Sequence, residues 1–381
     1  MKICFIDSYS FGLNGAPKSM ISLADGISKN KLVNVTVASS IRDGVLNKSE
    51  ELGLKTVELG VPPFLLQSRK NIRTIKLKLY YILSLIYYWF IQIFSVNLRP
   101  YDVLCINDVR AFLFFMPQLI WNRKKIVWYI RINDKVKYVD SLALYLSRKI
   151  VLISNDCLDV FSEKNRNKYA NKFTVVHTGF KFNDIDRNIL TKIKDDIGNN
   201  EIYISIGTIC ERKNQLDIVK VFDKLNIKNT KLLLIGDCTV ENHSYKDELL
   251  NLISKCSNPN NILVLPYTDY VHEYLSLADV FLFASRKEGL PRVVIEAINS
   301  GCFVCSSNVD GISDIVVDER LGLYTKSKSN DLLFESEFYE ILSNVDRNEI
   351  IKNKKFRTTF INDHFSYESF ISNFYEVIKK I

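Results

Sequence analysis

Short apolar runs alternate with longer amphipathic stretches along most of this 381-residue chain. The apolar runs are short, a pattern typical of strands that are buried on both faces of a parallel sheet. The predicted strands are residues 3–7, 34–39, 102–107, 125–131, 149–154 and 173–178, then 202–207, 231–236, 261–266, 279–285 and 302–307. Because helical stretches separate the strands, the pattern predicts an α/β fold in which helices cover parallel sheets.

The strands fall into two series, and the polar stretch 181–200 between them is the predicted linker. A chain of 381 residues is also longer than a single core usually supports. We therefore predict two doubly wound domains, residues 1–180 and 181–355. After Gly311 the strand rhythm is lost and the sequence becomes helical and polar, and residues 356–381 are predicted to form a separate C-terminal helix.

Composition agrees with a globular protein, because 47% of the residues are apolar and 25% are charged. The amino terminus turns polar after Asp7, so it reads as a first strand and not as a secretory signal, and a cytoplasmic location is expected. The eight cysteines are scattered and are expected to be reduced. Cys302 and Cys305 form a C-x-x-C without a second pair or a nearby histidine, so no metal or redox role is expected.

The segment 284–301 carries the most informative chemistry, because it ends one predicted strand and begins a helix. Pro291 suits a first helical turn, and free backbone N–H groups near Gly289 would favour an anion at the carboxyl end of the strand. Glu288 lies in the loop, and Glu296 lies in the helix. Two separated acceptors can hold two hydroxylated parts of an extended ligand with a phosphate in its middle. The alternative is an ordinary loop glutamate and a helix glutamate that pairs locally.

Two further turns follow predicted strands. The first, residues 11–19, contains Gly15 and can bring backbone amides close to a phosphate, although a tight strand-to-helix turn is the alternative. The second follows Gly207 and places Arg212 and Lys213 after a strand. The negative charge that develops on a departing diphosphate must be stabilised by a metal ion or by fixed cations. These two side chains are candidates for that role.

The quoted residues resemble the signature of the retaining GT-B glycosyltransferases, the glycosyltransferase family 4 group. The similarity includes Ser285-x-x-Glu288-Gly289-Leu290-Pro291, Glu296-Ala297, Gly301 and the run from Asp310 to Val316. It implies a GT-B fold, in which two Rossmann-like domains face a cleft, and transfer of a sugar from a nucleotide donor with retention at the anomeric carbon. It also implies that Glu288 contacts the donor sugar, that Glu296 binds the ribose, and that the amides from Gly289 to Pro291 approach the sugar and diphosphate.

The resemblance also implies that residues 1–180 bind the acceptor, that residues 181–355 bind the nucleotide-sugar, and that the C-terminal helix 356–381 packs back on the first domain. It extends to the glycine turns. Lys213 matches the lysine of the family, and Gly15 matches the glycine that lets the first domain approach the donor diphosphate. The arginine that the family carries beside the strand-ending Gly207 is Thr208 here. Arg212 is the candidate replacement, and a solvated surface charge is the alternative reading.

On the acceptor side, Arg131 and Asn133 follow the predicted strand 125–131. Arg131 stands where many family members carry histidine, so no histidine general base is predicted. The remaining histidines, at positions 177, 243, 272 and 364, are dispersed. Asp184-Ile-Asp186 has D-x-D spacing but lies in the predicted linker, so we expect neither a metal ion nor another cofactor.

Residues 69–99 combine basic residues with the apolar stretch 79–94, and no acidic residue occurs between Glu58 and Asp102. Three readings remain open: a buried helix with basic flanks, peripheral contact with an anionic membrane, and a spanning helix for which the apolar run is short. The formal net charge of +8 agrees with membrane contact. No nucleic-acid module is present in the sequence, so a nucleic-acid partner is not predicted.

The predicted function is transfer of a sugar from a UDP- or GDP-sugar to a hydroxyl of a glycan or polyprenyl-linked oligosaccharide. The resemblance implies a bacterial surface-polysaccharide setting, such as capsule, O-antigen or exopolysaccharide synthesis. One alternative is a sugar-nucleotide 2-epimerase of the same architecture, which would need acid and base groups around the sugar. A second alternative is a binding protein without catalytic activity, favoured if Thr208 has disabled the phosphate site.

Overall fold

The computed structural model describes residues 1–8, 15–30, 32–42, 44–67, 71–131, 136, 138–182 and 184–381. The chain forms two compact units, one of residues 1–178 with 368–381 and the other of residues 179–367. Each unit is built around one parallel sheet.

The first unit contains a seven-stranded sheet whose strand order is β3-β2-β1-β4-β5-β6-β7. Its strands are β1 (Lys2–Asp7), β2 (Asn34–Ser39), β3 (Lys55–Glu58), β4 (Val103–Ile106), β5 (Ile126–Ile130), β6 (Lys149–Leu152) and β7 (Phe173–Val175). Every pairing is parallel, and the central strands are buried throughout because helices cover the sheet. All their carboxyl ends therefore meet at one edge.

The helices of the first unit connect successive strands. They are α1 (Gly15–Ser28), α2 (Gly44–Glu51), α3 (Ile75–Ser95), α4 (Arg110–Phe114), α5 (Met116–Trp121), α6 (Val139–Leu146) and α7 (Glu163–Lys168). Helix α1 buries Met20, Leu23, Ala24 and Ile27, which recur at helical spacing and pack toward the sheet. Helix α3 differs, because only Leu85, Tyr88 and Gln92 are buried among its residues.

The second unit contains a six-stranded parallel sheet with the strand order β10-β9-β8-β11-β12-β13. Its strands are β8 (Glu201–Ile206), β9 (Thr230–Ile235), β10 (Ile262–Leu265), β11 (Val280–Phe283), β12 (Phe303–Ser306) and β13 (Gly322–Tyr324). Alternate side chains of the strands enter two separate apolar clusters, as expected for a sheet with helices on both faces.

Ten helices follow from α8 onward in the described residues. They are α8 (Arg187–Ile197), α9 (Gln215–Leu225), α10 (His243–Ser254), α11 (Val271–Leu277), α12 (Arg292–Asn299), α13 (Ile312–Ile315), α14 (Phe334–Ser343), α15 (Arg347–Lys352), α16 (Lys354–Phe365) and α17 (Tyr367–Ile378). Helix α16 packs on α12 and contributes the buried Ile361 and Phe365 to one of the clusters. It also carries the fully buried Arg357, whose guanidinium donates to the carbonyls of Gly301, Arg320 and Ile350.

The chain after Tyr367 belongs to the first unit. There Phe374 of α17 is fully buried, with its ring centroid 6.5 Å from that of Phe5 and 5.2 Å from that of Tyr129. Residues 356–367 belong to the second unit, because the apolar face of α16 packs on α12. The C-terminal segment predicted at 356–381 is thus divided between the two units.

The predicted α/β architecture of two doubly wound domains is confirmed, and each of the eleven predicted strands occurs within a residue or so of its expected start. Two strands were not predicted. Strand β3 reads Lys-Thr-Val-Glu and is only partly buried, so it lacks an apolar run. Strand β13 has three residues, and its presence corrects the prediction that strands end before Gly311.

The predicted linker 181–200 is also wrong, because α8 occupies most of it. Ile189, Ile193 and Ile197 recur every four residues and pack into the core of the second unit. The residues between these isoleucines are mostly polar, so the composition of the segment is that of a linker although its spacing is helical. Asp186 caps its start by accepting from the backbone N–H groups of Asn188 and Ile189.

Candidate functional site

The candidate site lies at the carboxyl edge of the second unit's sheet. Strands β8 and β11 are neighbours and run parallel, so the turns that follow them meet at this edge. The turn after β8 forms a short 3-10 helix, Glu211–Lys213, which ends at Asn214 in a left-handed conformation. The turn after β11 begins with the buried Ser285 and continues through Glu288 to the first residue of α12. Ligands bind at such edges in open α/β sheets.

One carboxylate oxygen of Glu288 collects three donors from these two turns. Lys213 Nζ, Arg212 Nη1 and Ser285 Oγ each lie 2.7 Å from Glu288 Oε1. Arg212 Nη1 also donates to the carbonyl of Lys287 at 3.0 Å. Both predicted cations are therefore held against the predicted sugar-binding glutamate, although 75 residues of sequence separate Lys213 from Glu288.

Burial and charge act in opposite directions on Glu288. Burial disfavours its ionised form, but Lys213, Ser285 and Arg212 together outweigh this and hold the pKa of Glu288 below its usual value. The side chains of Lys213 and Glu288 are 14% and 17% exposed, whereas that of Arg212 is 49% exposed. Lys213 thus carries the more strongly desolvated charge, and it also lies 4.9 Å above the ring centroid of Phe283.

Two glycines bring the ends of β8 and β9 close together. A Cβ on Gly236 would lie 2.1 Å from the carbonyl oxygen of Gly207, a distance that no side chain tolerates. A Cβ on Gly207 would lie 3.3 Å from Cε of Lys213, so the lysine runs directly over this glycine. Both glycines have φ of +153°, which L side chains rarely adopt. Gly236 therefore lets the two strand ends approach, and Gly207 leaves room for Lys213 to reach Glu288.

A third glycine supports the loop in front of α12. Gly311 has φ of +82°, and a Cβ there would lie 2.4 Å from the carbonyl oxygen of Gly289 and 3.0 Å from Cα of Leu290. Pro291 is the N-cap residue of α12, one position before the first turn where the sequence placed it. The segment from Gly289 to Pro291 is therefore positioned by contact with Gly311 as well as by its own helix.

Replacing Gly311 by alanine is expected to destabilise this loop by more than backbone strain alone. Gly198 offers a matched control in the same unit, because its φ is +76° while the nearest atom to an added Cβ lies at 3.6 Å. Both variants should lose about 1–3 kcal/mol to the left-handed backbone, and Gly311→Ala should lose more because of the overlap. Native-state hydrogen exchange in β11 and β12 measures the difference, and equal losses in the two variants would contradict the proposed contact.

Glu296 lies on α12, where the sequence placed it. Its side chain is 12% exposed and accepts from Arg292 Nε at 2.8 Å, one helical turn earlier. Arg292 in turn lies 4.8 Å above the ring centroid of Phe180. The structure therefore shows Glu296 in a local i, i+4 ion pair and does not bring it into contact with Glu288 in the described hydrogen bonds.

The first unit carries its own polar group at the carboxyl edge of its sheet. Arg131 is buried and donates through Nε to Asn107 at 2.7 Å, and Asn107 donates to the carboxylate of Asp7. The guanidinium lies 4.1 Å above the ring centroid of Tyr129. Burial lowers the pKa of Arg131, although Tyr129 and Asp7 favour its charge. Arg131 Nη2 has no partner among the described residues.

Two other predicted positions in the first unit give less information. Asn133 lies outside the described residues. Gly15 is the first residue of α1, and no atom of the described residues lies within 4 Å of a Cβ added there. The structure neither tests nor contradicts the roles that the resemblance implies for them.

The cysteines are free thiols, and the ones that form the C-x-x-C are buried. No disulfide joins any of the eight cysteines. Cys302 is buried and donates to the carbonyl of Leu275, and burial raises its pKa to about 12. Burial also raises the pKa of Cys305, so both thiols stay protonated at neutral pH. Within the described ranges, no group of three or more His, Cys, Asp or Glu side chains has the arrangement of a metal site.

Sequence reasoning identified the residues that the structure brings together but missed some of their supports. The sequence assigned four residues to one site, and the structure joins them in one cluster: Lys213, Arg212, Ser285 and Glu288. Gly236, Asp7 and Asn107 were not singled out. A signal for Gly236 was present, because β8 and β9 both end in Ile and both are followed directly by Gly. Asp7 and Asn107 both end apolar strands, but only the parallel register shows that they are neighbours.

Comparison with known proteins finds a family match in the unit that carries this candidate site. Residues 186–357 match the family model described as glycosyl transferases group 1, so the second unit carries the sequence pattern of that family. A Campylobacter jejuni N-acetylgalactosamine-N,N'-diacetylbacillosaminyl-diphospho-undecaprenol 4-alpha-N-acetylgalactosaminyltransferase is 28% identical over 157 residues. The Staphylococcus aureus capsular polysaccharide biosynthesis glycosyltransferase CapH is 26% identical over 187 residues.

These matches cover 40% and 47% of the present chain, and the chain spans only 41% and 48% of the two relatives. The whole fold is similar to that of Anabaena HepE, solved in complex with UDP, with a TM-score of 0.75 over 100% of both chains at 15% identity. At that identity the likeness shows the fold alone. The chain therefore has the GT-B fold that the resemblance predicted.

Proposed function

We propose that this chain is a retaining glycosyltransferase of the GT-B type that takes its sugar from a UDP- or GDP-sugar. The observation that carries the proposal is the cluster of Lys213, Arg212 and Ser285 on one oxygen of Glu288. It lies at the carboxyl edge of a parallel sheet, inside the segment that matches the group 1 glycosyl transferases.

The two cations supply what a nucleotide-sugar donor requires. Cleavage of the bond between the anomeric carbon and the diphosphate leaves negative charge on the departing oxygen, and a fixed cation stabilises that charge without reorganising. Lys213 suits this role because its side chain is largely buried, where a charge acts more strongly than in water. Arg212 is more exposed. It takes the role of the family's arginine, whose position is occupied by Thr208 in this chain.

Before the donor binds, the Glu288 carboxylate is the anion that pairs with Lys213 and Arg212. Donor binding would transfer Lys213 and Arg212 from this carboxylate to the diphosphate. Glu288 would then be free to accept hydrogen bonds from the hydroxyl groups of the sugar. The exchange replaces one ion pair by another, so the cations need not lose a charged partner at any stage.

The chemical step follows from retention. The oxygen of the acceptor hydroxyl forms the new bond on the face that the diphosphate leaves, and a phosphate oxygen of the leaving group accepts the hydroxyl proton. No protein base is required by this balance, in agreement with the prediction that no histidine serves as a base. We propose that the fixed cations meet the charge requirement without a metal ion or another cofactor.

The remaining predicted roles are part of the same proposal. The amides from Gly289 to Pro291 would approach the sugar and diphosphate, supported by the close contact at Gly311. Glu296 would bind the ribose after exchanging its local partner Arg292. On the acceptor side, Arg131 and Asn133 would contact a glycan or polyprenyl-linked oligosaccharide. The diphospho-undecaprenol-linked acceptor in the name of the first relative and the capsular polysaccharide biosynthesis in the name of the second support an acceptor of this class in surface-polysaccharide synthesis.

A thermal-shift panel of uridine, guanosine, adenosine and cytidine diphosphate sugars tests the donor class. A selective rise in Tm on the order of 5 °C is expected for one uridine or guanosine donor at about a hundred times its Kd. Lys213→Ala should lose most of the shift, whereas Lys220→Ala, which changes a lysine of α9 that pairs with Asp217, should keep it. The absence of any uridine or guanosine shift would contradict the proposed donor.

A further inference from the structure

Helix α3 exposes a continuous apolar stripe on one face. Leu79, Leu83, Ile86, Phe90 and Phe94 follow at steps of four, three, four and four residues, and their side chains are between 52% and 80% exposed. Tyrosines flank the stripe. By length and composition α3 could cross a bilayer, and only 17% of its most apolar window is buried. The reading of this segment as an ordinary buried helix is therefore wrong, since the described residues leave most of its surface uncovered.

The opposite face ties α3 along its length to the first unit. Four of its side chains donate hydrogen bonds to backbone carbonyl groups of that unit. The pairs are Tyr81 to Leu65 at 3.3 Å, Tyr88 to Leu59 at 2.8 Å, Trp89 to Leu113 at 2.9 Å and Gln92 to Phe114 at 2.6 Å. A helix that stood across a bilayer would have to break these bonds and leave the carbonyls without partners. The attachment favours a helix that lies on a surface.

Exposed basic side chains stand at both ends of the stripe. Arg73, Lys76 and Lys78 lie at its amino-terminal end. At the other end, Arg99 lies 5.7 Å from the ring centroid of Trp121, which is 53% exposed on the neighbouring α5. The sequence contains no acidic residue from 59 to 101 or from 109 to 133, so both elements of this surface are free of negative side chains.

These charges separate two possible occupants of the surface. In a two-fold dimer the same patch meets itself, and antiparallel helices would place the basic end of one α3 against the basic end of the other. An anionic lipid surface instead offers opposite charge to both ends and an apolar layer to the stripe. Exposed tryptophan and tyrosine are also suited to the headgroup region.

We propose that α3 and the adjoining Trp121 form a membrane-docking surface that lies in the headgroup region of an anionic bilayer, with α3 parallel to the membrane plane. Leu83, Phe90 and Phe94 enter the apolar layer. Lys76, Lys78 and Arg99 lie at the level of the lipid phosphates. The surface belongs to the first unit alone and does not depend on the donor site.

Flotation of the full chain with vesicles tests this proposal without donor or acceptor. The chain should float with vesicles of phosphatidylglycerol and phosphatidylethanolamine, remain mostly unbound with pure phosphatidylcholine, and be released by high salt or alkaline wash. Lys76→Glu with Lys78→Glu should weaken the partition coefficient by roughly tenfold or more. Leu83→Glu with Phe90→Glu should weaken it at least as much.

Matched controls separate the surface from a general loss of apolar residues. Val240→Glu and Leu332→Glu change residues of the second unit that are fully or almost fully exposed, and both should bind vesicles like the unaltered chain. Unchanged circular dichroism and donor-induced thermal shifts show that each variant is folded. The proposal is overturned if the unaltered chain binds neither vesicle type, if alkaline wash fails to release it, or if Leu83→Glu with Phe90→Glu abolishes a dimer instead of vesicle binding.

Discussion

Replacing Lys213 by alanine is expected to lower the rate of sugar transfer by about a hundredfold or more, the usual cost of removing a fixed group that stabilises developing negative charge. The Lys213 side chain is only 14% exposed, and its Nζ lies 2.7 Å from Glu288 Oε1. Water cannot replace it at the same position without reorganising. The measurement is transfer of labelled sugar, from the donor that the thermal-shift panel selects, to membranes that carry lipid-linked glycans.

Two further variants distinguish a role of the Lys213 charge from a purely structural role. Lys213→Arg keeps the charge and should recover part of the rate, whereas a purely structural role of the lysine would give no such recovery. Lys220→Ala removes a lysine that pairs with Asp217 on α9 and should leave the rate unchanged. A Lys213→Ala enzyme with normal turnover would remove the lysine from the proposed mechanism.

Replacing Glu288 by glutamine is expected to change transfer and nucleotide binding in opposite directions. Transfer should fall about ten- to a hundredfold, because a charged hydrogen-bond acceptor for the sugar is lost. Binding of the free nucleoside diphosphate should become a few-fold tighter, because Lys213 and Arg212 no longer have to leave a carboxylate. Isothermal titration with UDP and GDP gives the affinity, and the transfer assay gives the rate.

The direction of the binding change distinguishes two roles of Glu288. If the glutamate only organises the two turns, its neutral replacement should loosen Lys213 and weaken nucleotide binding together with transfer. Glu319→Gln changes an exposed glutamate of the same unit and should alter neither quantity. Weaker nucleotide binding in Glu288→Gln would therefore rule out the exchange of partners proposed above.

Local sequence patterns were sufficient for the α/β class and for most strands. Short apolar runs require burial on both faces, and parallel sheets supply it. The failures occurred where that signal is weak. Strand β3 is a partly exposed edge strand of mixed polarity, and α8 presents only one isoleucine per turn within a polar segment.

The site was predictable as a set of residue types but not as a set of contacts. The segment from Ser285 to Glu296 and the pair Arg212 and Lys213 stood out because each follows a predicted strand. That Lys213, Arg212 and Ser285 converge on one oxygen depends on the register of β8 against β11. Pairing between strands that are distant in sequence is a tertiary property, because many registers satisfy the same local pattern.

The sequence by itself determined the alternation of strands and helices, the residues at the strand ends and the absence of acidic residues around α3, since all of these are local in the chain. Only the tertiary structure decided which charges meet and which surfaces stay exposed. Helix α3 shows this difference clearly, because its apolar residues suit a core as well as a membrane surface. Its exposure depends on which other elements cover it, and in the described structure Leu79, Ile86 and Phe94 remain between 52% and 80% exposed.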